Sequence, residues 1–83
     1  MDRTEIQEKV FDIIAEHRDM DRKNITMESS LRDDIGMDSF EAMEFIFYLE
    51  ETYNIKIPDS DLGKLRVIKD IVDYLEIRFK EKV

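Results

Sequence analysis

Apolar side chains recur at helical spacing in three segments of the chain, and polar stretches separate these segments. In the first segment, residues 4–18, one stripe contains Ile6, Val10, Ile13, Ile14 and His17. Thr4 followed by Gln7 predicts a capping box at the start of this helix. His17 is the only histidine, and nothing near it in the sequence would complete a catalytic triad. We therefore interpret it as a packed or half-exposed residue.

The second segment, residues 39–53, has the strongest pattern, with a core stripe of Ala42, Phe45, Ile46, Leu49 and Tyr53. Asp38 and Glu41 predict a capping box of the Asp-x-x-Glu type at its start. A second apolar strip lies roughly 130° around the helix, at about 100° per residue; it consists of Phe40, Met43 and Phe47. This strip is either additional core or an exposed docking surface bordered by acidic residues.

The rest of the pattern predicts an all-α fold. Residues 19–37 lose the helical spacing, but apolar anchors at Ile25, Met27, Leu31 and Ile35 predict an ordered loop. One short helical turn is expected within residues 59–65. A last helix is expected over residues 68–80, with Ile68, Ile71, Val72, Leu75 and Phe79 inward. We predict one domain, residues 1–83, folded as a small four-helix bundle with three long helices, one short helix and a long first loop.

The charge distribution indicates the kind of partner. The net charge is −8, and residues 38–62 alone hold seven acidic residues and one lysine, which gives −6. Nucleic acid is a poor partner, because binding its phosphates requires clustered lysine and arginine. An acidic segment instead favours basic patches on other proteins.

Other residue types argue against several kinds of site. The chain has no cysteine, which excludes a disulfide, a thiolate metal site and a cysteine nucleophile and suits a cytoplasmic location. No apolar run approaches the roughly 18 residues that a membrane span requires. A calcium loop at Asp19, Asp21 and Asn24 is rejected, because the required glycine and terminal glutamate are missing, and no metal site is expected. Without a nucleophile–base pair or a phosphate loop, we expect no enzymatic activity.

The centre of the chain contains its most informative motif. Gly36-Met37-Asp38-Ser39-Phe40 resembles the Gly-x-Asp-Ser-[hydrophobic] motif of acyl carrier proteins and of the related carrier domains in polyketide, peptide and D-alanyl transfer. The resemblance extends over nearly the whole chain. It includes Ser29-Ser30-Leu31, Leu49-Glu50-Glu51 with Tyr53, Ile55-x-Ile57-Pro58-Asp59 and Ile71-Val72-Asp73-Tyr74-Leu75. An isolated Asp-Ser pair carries no information, but all these segments in this order are specific.

The resemblance implies a carrier with a covalent arm. In the family, a phosphopantetheinyl transferase that needs magnesium adds 4′-phosphopantetheine from coenzyme A to the serine of the motif, here Ser39. Asp38 would cap the helix and support the modification. Gly36 would give the backbone the freedom required just before the helix. The arm supplies the thiol, so the carrier needs no cysteine of its own.

The resemblance also implies partners and a surface that binds them. The carrier, expected to be a monomer, would dock through its acidic second helix onto acyl-transferring and acyl-processing enzymes with basic patches. By position, the recognition residues are Glu41, Met43, Glu44, Phe47 and Glu50, with Leu62 and Leu65 nearby. This interpretation favours surface over core for Met43 and Phe47.

Departures from the family pattern leave more than one function open. Phe40 stands where the family usually has leucine, and an aromatic residue at this position is also familiar from D-alanyl carriers. Val67 stands where the family usually has a threonine cap, so we expect the start of the last helix to fray. The resemblance also implies a cavity between the helices that shelters the acyl chain. Phe45 stands where the family more often has an aliphatic residue, and Tyr53 closes one end of the same stripe, so we expect a small cavity and a stabilisation that stops growing early as the acyl chain lengthens. The chain is expected to carry acyl groups for fatty-acid, polyketide or other specialised lipid-pathway enzymes. The alternatives are an aminoacyl or D-alanyl carrier, or an unmodified helical interaction domain.

Overall fold

The computed structural model describes residues 2–82, and within them it contains four α-helices. These are α1 (Arg3–Arg18), α2 (Ser39–Tyr53), α3 (Asp59–Leu62) and α4 (Ile68–Lys82). A single 3₁₀ turn, Arg22–Asn24, interrupts the long first loop. The predicted all-α fold with three long helices and one short helix is confirmed.

The start of α1 differs from the prediction. Asp2 is the N-cap, and its Oδ1 accepts a hydrogen bond of 2.9 Å from the backbone N–H of Glu5. Thr4 lies inside the first turn, so the predicted capping box of Thr4 and Gln7 is wrong. Aspartate is at least as good an N-cap as threonine, and Asp2 precedes Thr4, so the helix extends back to it.

The first loop holds the start of α4. The N–H of Ile68 donates to the carbonyl oxygen of Ser29 at 3.1 Å. The side chain of Asp70 accepts from the backbone N–H groups of Arg66 and Val67, each at 3.2 Å. The reason given for fraying at Val67 does not hold, because the first two amides of α4, those of Ile68 and Lys69, have partners in the loop, and Asp70 holds the two amides that precede the helix.

The core is one cluster that the three long helices and the loops build together. Three of the four predicted loop anchors are buried, and Met27 is partly buried against them. The buried apolar side chains outside the helices are Ile25, Leu31, Ile35, Met37, Ile57 and Leu65. The long loop is thus packed on the bundle, as expected, and it delivers the chain to the start of α2.

Candidate functional site

The start of α2 has the geometry that the sequence predicts. Asp38 Oδ1 accepts from the N–H of Glu41 at 2.8 Å, and Glu41 Oε1 accepts from the N–H of Asp38 at 3.3 Å. This reciprocal pair is the expected capping box. Ser39 is the first helical residue, and its side chain is exposed. The motif therefore presents a solvent-facing hydroxyl at the N-terminus of a well-capped helix.

The segment that precedes Ser39 consists of a glycine turn followed by a buried anchor. Gly36 has φ +83°, a conformation in which a residue with a Cβ would be strained. Met37 follows it, with a side chain only 3 % exposed and a backbone N–H that donates to the carbonyl of Leu31 at 2.8 Å. The exposed serine thus stands two residues beyond a buried anchor.

An arginine that the sequence reasoning missed reaches this segment from α1. Arg18 is the last residue of α1, and its Nη1 contacts Glu41 Oε2. Its Nη2 donates to the carbonyl oxygen of Gly36 at 3.1 Å. The only signal in the sequence was a basic residue in the last turn of a helix, which the helix dipole alone explains.

The second apolar strip of α2 is mainly a surface feature. Phe40 is 72 % exposed and Phe47 is 54 % exposed, whereas Met43 is half-buried. Glu44 lies beside this strip and is exposed. Of the two interpretations of this strip, additional core is wrong for Phe40 and Phe47, because more than half of each side chain is exposed.

A groove of about 410 Å³ runs between the end of α1 and the exposed side of α2. The ring of Tyr48 packs edge-on against that of His17, with 4.8 Å between the ring centroids. The sequence did not indicate a role for Tyr48 in this groove, because it belongs to neither apolar stripe of α2. The residues lining the groove are His17, Arg18, Met37, Glu41, Glu44, Phe45, Phe47, Tyr48 and Glu51.

Two of the predicted recognition carboxylates already have partners within the chain. Both oxygens of Glu41 are engaged, one by Arg18 and one by the N–H of Asp38. Glu50 Oε2 accepts from the N–H of Ile57 at 2.7 Å, which fastens the loop after α2. Glu44 points into solvent at the edge of the groove.

The short helix α3 is tied to α4 by a small polar network. The hydroxyl of Tyr74 donates to Asp61 Oδ2 at 2.8 Å, and this hydrogen bond is the main cause that lowers the pKa of the Asp61 carboxyl. Arg78 Nη1 donates to the same hydroxyl at 3.0 Å and to the carbonyl of Lys56 at 2.7 Å. Leu65, which follows α3, is buried and belongs to the core rather than to an exposed surface.

Two further sequence expectations concern absent features. Among residues 2–82, no cluster of three or more histidine or carboxylate side chains could hold a metal ion. In the same part of the chain, no helix is both long enough and apolar enough to cross a bilayer.

Comparison with known proteins identifies the family. Residues 8–75 match the family model described as the phosphopantetheine attachment site. The chain is 43 % identical over 75 residues to an acyl carrier protein of Syntrophobacter fumaroxidans, an alignment that spans 90 % of this chain and 93 % of that protein. It is 42 % identical over 74 residues to an acyl carrier protein of Clostridium acetobutylicum, which spans 89 % and 96 %. The chain belongs to the acyl carrier protein family.

A third relative agrees with this assignment. An acyl carrier protein of Bdellovibrio bacteriovorus is 39 % identical over 75 residues, or 90 % of this chain and 96 % of that protein. The predictions of a carrier without catalytic activity and of 4′-phosphopantetheine as its cofactor are therefore confirmed by family membership. The identity of the serine that bears the cofactor is a separate question, which the local geometry addresses.

Proposed function

We propose that Ser39 is the residue to which the phosphopantetheinyl transferase attaches the arm. The observation that carries this proposal is the exposed Ser39 side chain at the first position of α2, within the segment that matches the attachment-site family. In the transfer, the Oγ of Ser39 would bond to the phosphorus that bears the pantetheine group of coenzyme A. The bond from that phosphorus to the oxygen of the adenosine 5′-phosphate would break, adenosine 3′,5′-bisphosphate would leave, and the hydroxyl proton would pass to a base of the transferase or to water.

The residues around Ser39 fit a phosphodiester. Backbone N–H groups of the first helical turn and the positive end of the helix dipole favour a negative charge at this position. The Asp38 carboxylate is turned toward the N–H of Glu41, so it serves the cap. Once attached, the arm supplies a thiol that holds the cargo as a thioester.

Incubation with coenzyme A, magnesium and a phosphopantetheinyl transferase tests the proposal by intact mass. We expect the mass of one phosphopantetheine to be added to the whole population. A chain that stays unmodified, beside a known acyl carrier protein that is fully modified in the same reaction, would favour the unmodified interaction domain instead.

Replacing Asp38 with alanine should weaken both the fold and the loading reaction. Loss of this N-cap costs about 1 kcal/mol of unfolding free energy, because the N–H of Glu41 loses its partner. The first turn that holds Ser39 would then open more often, and modification should slow. Thermal melting and the rate of arm attachment measure the two effects. Unchanged values for both would show that the capping box does not hold the site.

We further propose that partner enzymes bind the exposed side of α2 through Glu44, Met43 and Phe47. Glu44 is exposed, and the two apolar residues lie on the same strip as the exposed Phe40. A strip with an acidic border suits partners with basic patches around an apolar centre. Glu41 and Glu50 have intramolecular partners, so we assign them mainly to holding the ends of α2.

Reversing the charge of Glu44 to lysine should slow association with an acyl-processing partner and weaken its dependence on salt. The reason is that residues 38–62 carry −6, which steers a basic partner toward this helix. Glu16→Lys is the matched control, since it makes the same charge change at an exposed position of α1. Stopped-flow association rates at several salt concentrations measure the effect. Equal slowing in both variants would mean that only total charge matters and that docking does not involve this face.

An aminoacyl or D-alanyl cargo is the second candidate, and Phe40 is the observation that favours it. By resemblance, an aromatic residue directly after the serine is also familiar from D-alanyl carriers, and here it is 72 % exposed and so available to an enzyme that loads the arm. Offering the arm-bearing protein to a fatty acyl ligase and to a D-alanyl ligase separates the two candidates. We expect the fatty acyl ligase to load the arm.

We also propose that residues 1–83 form a single domain that acts as a monomer in the cytoplasm.

A further inference from the structure

Arg18 joins the end of α1 to both sides of the proposed attachment serine. One guanidinium contacts the Gly36 carbonyl, three residues before Ser39, and the Glu41 carboxylate, two residues after it. The guanidinium is planar, and its N–H groups are fixed relative to one another. When both contacts are made, they restrict the distance between the glycine turn and the first turn of α2.

The contact with Glu41 continues into the cap. Glu41 uses its other oxygen to accept from the N–H of Asp38, and Asp38 in turn accepts from the N–H of Glu41. A continuous set of polar contacts therefore runs from Arg18 through Glu41 to the residue next to Ser39. Hydrogen bonds with charged partners are stronger than neutral ones, so this set can hold the backbone more firmly than a capping box alone.

The surroundings of Arg18 strengthen these contacts. Its side chain is only 28 % exposed, and it forms part of the wall of the groove between α1 and α2. Partial burial reduces the screening that makes most surface ion pairs weak. The guanidinium of Arg18 also lies next to the turn at Gly36, where φ is positive: a Cβ built on Gly36 would lie 3.5 Å from Arg18 Nη2.

We propose that Arg18 is a positioning residue for arm attachment, which holds residues 36–41 in the conformation that the transferase must recognise. This inference rests on the proposed role of Ser39 as the attachment site. It also gives Glu41 a different role from the expected one: the carboxylate orients the helix start instead of binding the partner enzyme. The side chain of Arg18 acts through the backbone and needs no contact with coenzyme A.

Steady-state kinetics of arm attachment to the 83-residue chain test this role. Arg18→Gln should lower kcat/KM about tenfold, which corresponds to about 1.4 kcal/mol. The loss should fall mainly on KM, because only the fraction of molecules with the correct helix start would bind productively. Arg18→Lys should lose about threefold, since a lysine retains the charge but not the planar fork.

The direction of the effect separates positioning from simple electrostatics. Arg18→Gln removes one positive charge and changes the net charge from −8 to −9. A more acidic carrier should associate faster with a basic transferase, so an electrostatic role predicts a higher kcat/KM. Positioning predicts a lower one. A value equal to or above that of the unaltered protein would overturn the proposal.

Arg22→Gln is the matched control. Arg22 is also paired with carboxylates, but these are Glu8 and Asp12 of α1, and its guanidinium lies over the ring of Phe11. This variant has the same charge change as Arg18→Gln, and its kcat/KM should stay within about twofold of the unaltered value or rise slightly. An equal loss in both arginine variants would mean a general loss of stability, which contradicts a positioning role.

A second measurement does not depend on the transferase. Amide ¹⁵N order parameters of Gly36 and Ser39 should fall in Arg18→Gln and stay unchanged in Arg22→Gln. If they do not fall, the inference about Arg18 is overturned even where Ser39 is modified normally. If the order parameters fall but the unaltered protein is never modified at Ser39, the proposed function fails, and Arg18 only stabilises the helix start.

Discussion

Replacing Ser39 with alanine is expected to abolish phosphopantetheine attachment and to leave the fold intact. The Oγ of Ser39 is the atom that would bond to phosphorus, and alanine has no atom that could replace it. The side chain is exposed, and the cap depends on Asp38 and Glu41 rather than on Ser39. The free energy of unfolding should therefore change by about 0.5 kcal/mol or less. Intact mass and a thermal melt measure the two quantities on the same sample.

Ser60→Ala is the matched control for this variant. Ser60 is also an exposed serine in the first turn of a helix, but that helix is the four-residue α3, and it has no side-chain cap. We expect Ser60→Ala to be modified as fast as the unaltered protein. Modification of Ser39→Ala would show that Ser39 is not the attachment site. Loss of modification in Ser60→Ala alone would show that the arm is attached to α3.

Replacing Phe45 with alanine should cost about 3–5 kcal/mol of unfolding free energy, the usual range for removing a buried phenylalanine. Phe45 is 1 % exposed and lies on the stripe of α2 that faces the core. Phe45 belongs to the core cluster, and the cargo cavity expected from the family resemblance would be lined by residues of this helix. The lost volume is therefore expected to be available to an acyl chain.

Acylation should restore part of this loss. Each methylene that enters the vacated space contributes about 0.8 kcal/mol, so the melting temperature of Phe45→Ala should keep rising with chain length after that of the unaltered protein has stopped. Ile6→Ala is the control, because Ile6 is fully buried but lies near the start of α1, whereas Phe45 shares the groove with His17 and Arg18 at the end of α1. Thermal melts of both variants with acyl groups of increasing length decide the matter. Equal restoration in the two variants would contradict a cavity beside Phe45.

The start of α2 could be predicted from the sequence because its determinants are local. Asp38 and Glu41 are three residues apart, and the hydrogen bonds between them depend only on a helix beginning at Ser39. At the start of α1 the same rule was ambiguous. Asp2 with Glu5 and Thr4 with Gln7 are overlapping cap patterns, and the earlier one forms.

The parts of the site that depend on distant contacts could not be predicted in this way. Arg18 and Glu41 are 23 residues apart in the chain, and only the path of the long loop brings them together. The exposure of Phe47 likewise depends on where α1 and α4 lie, which the spacing of apolar residues within α2 does not determine. Similarly, the partners that replace a threonine cap at Val67 come in part from residue 29 of that loop.

Localising the arm by fragmentation of the modified protein tests the central claim most directly. The unaltered chain is incubated with coenzyme A, magnesium and a phosphopantetheinyl transferase, and the fragment ions that retain the arm are assigned to residues. The account predicts one arm per chain, carried by fragments that contain Ser39 and lost from every fragment that lacks it. An arm on any other residue, or none under conditions that fully modify a known acyl carrier protein, would contradict it.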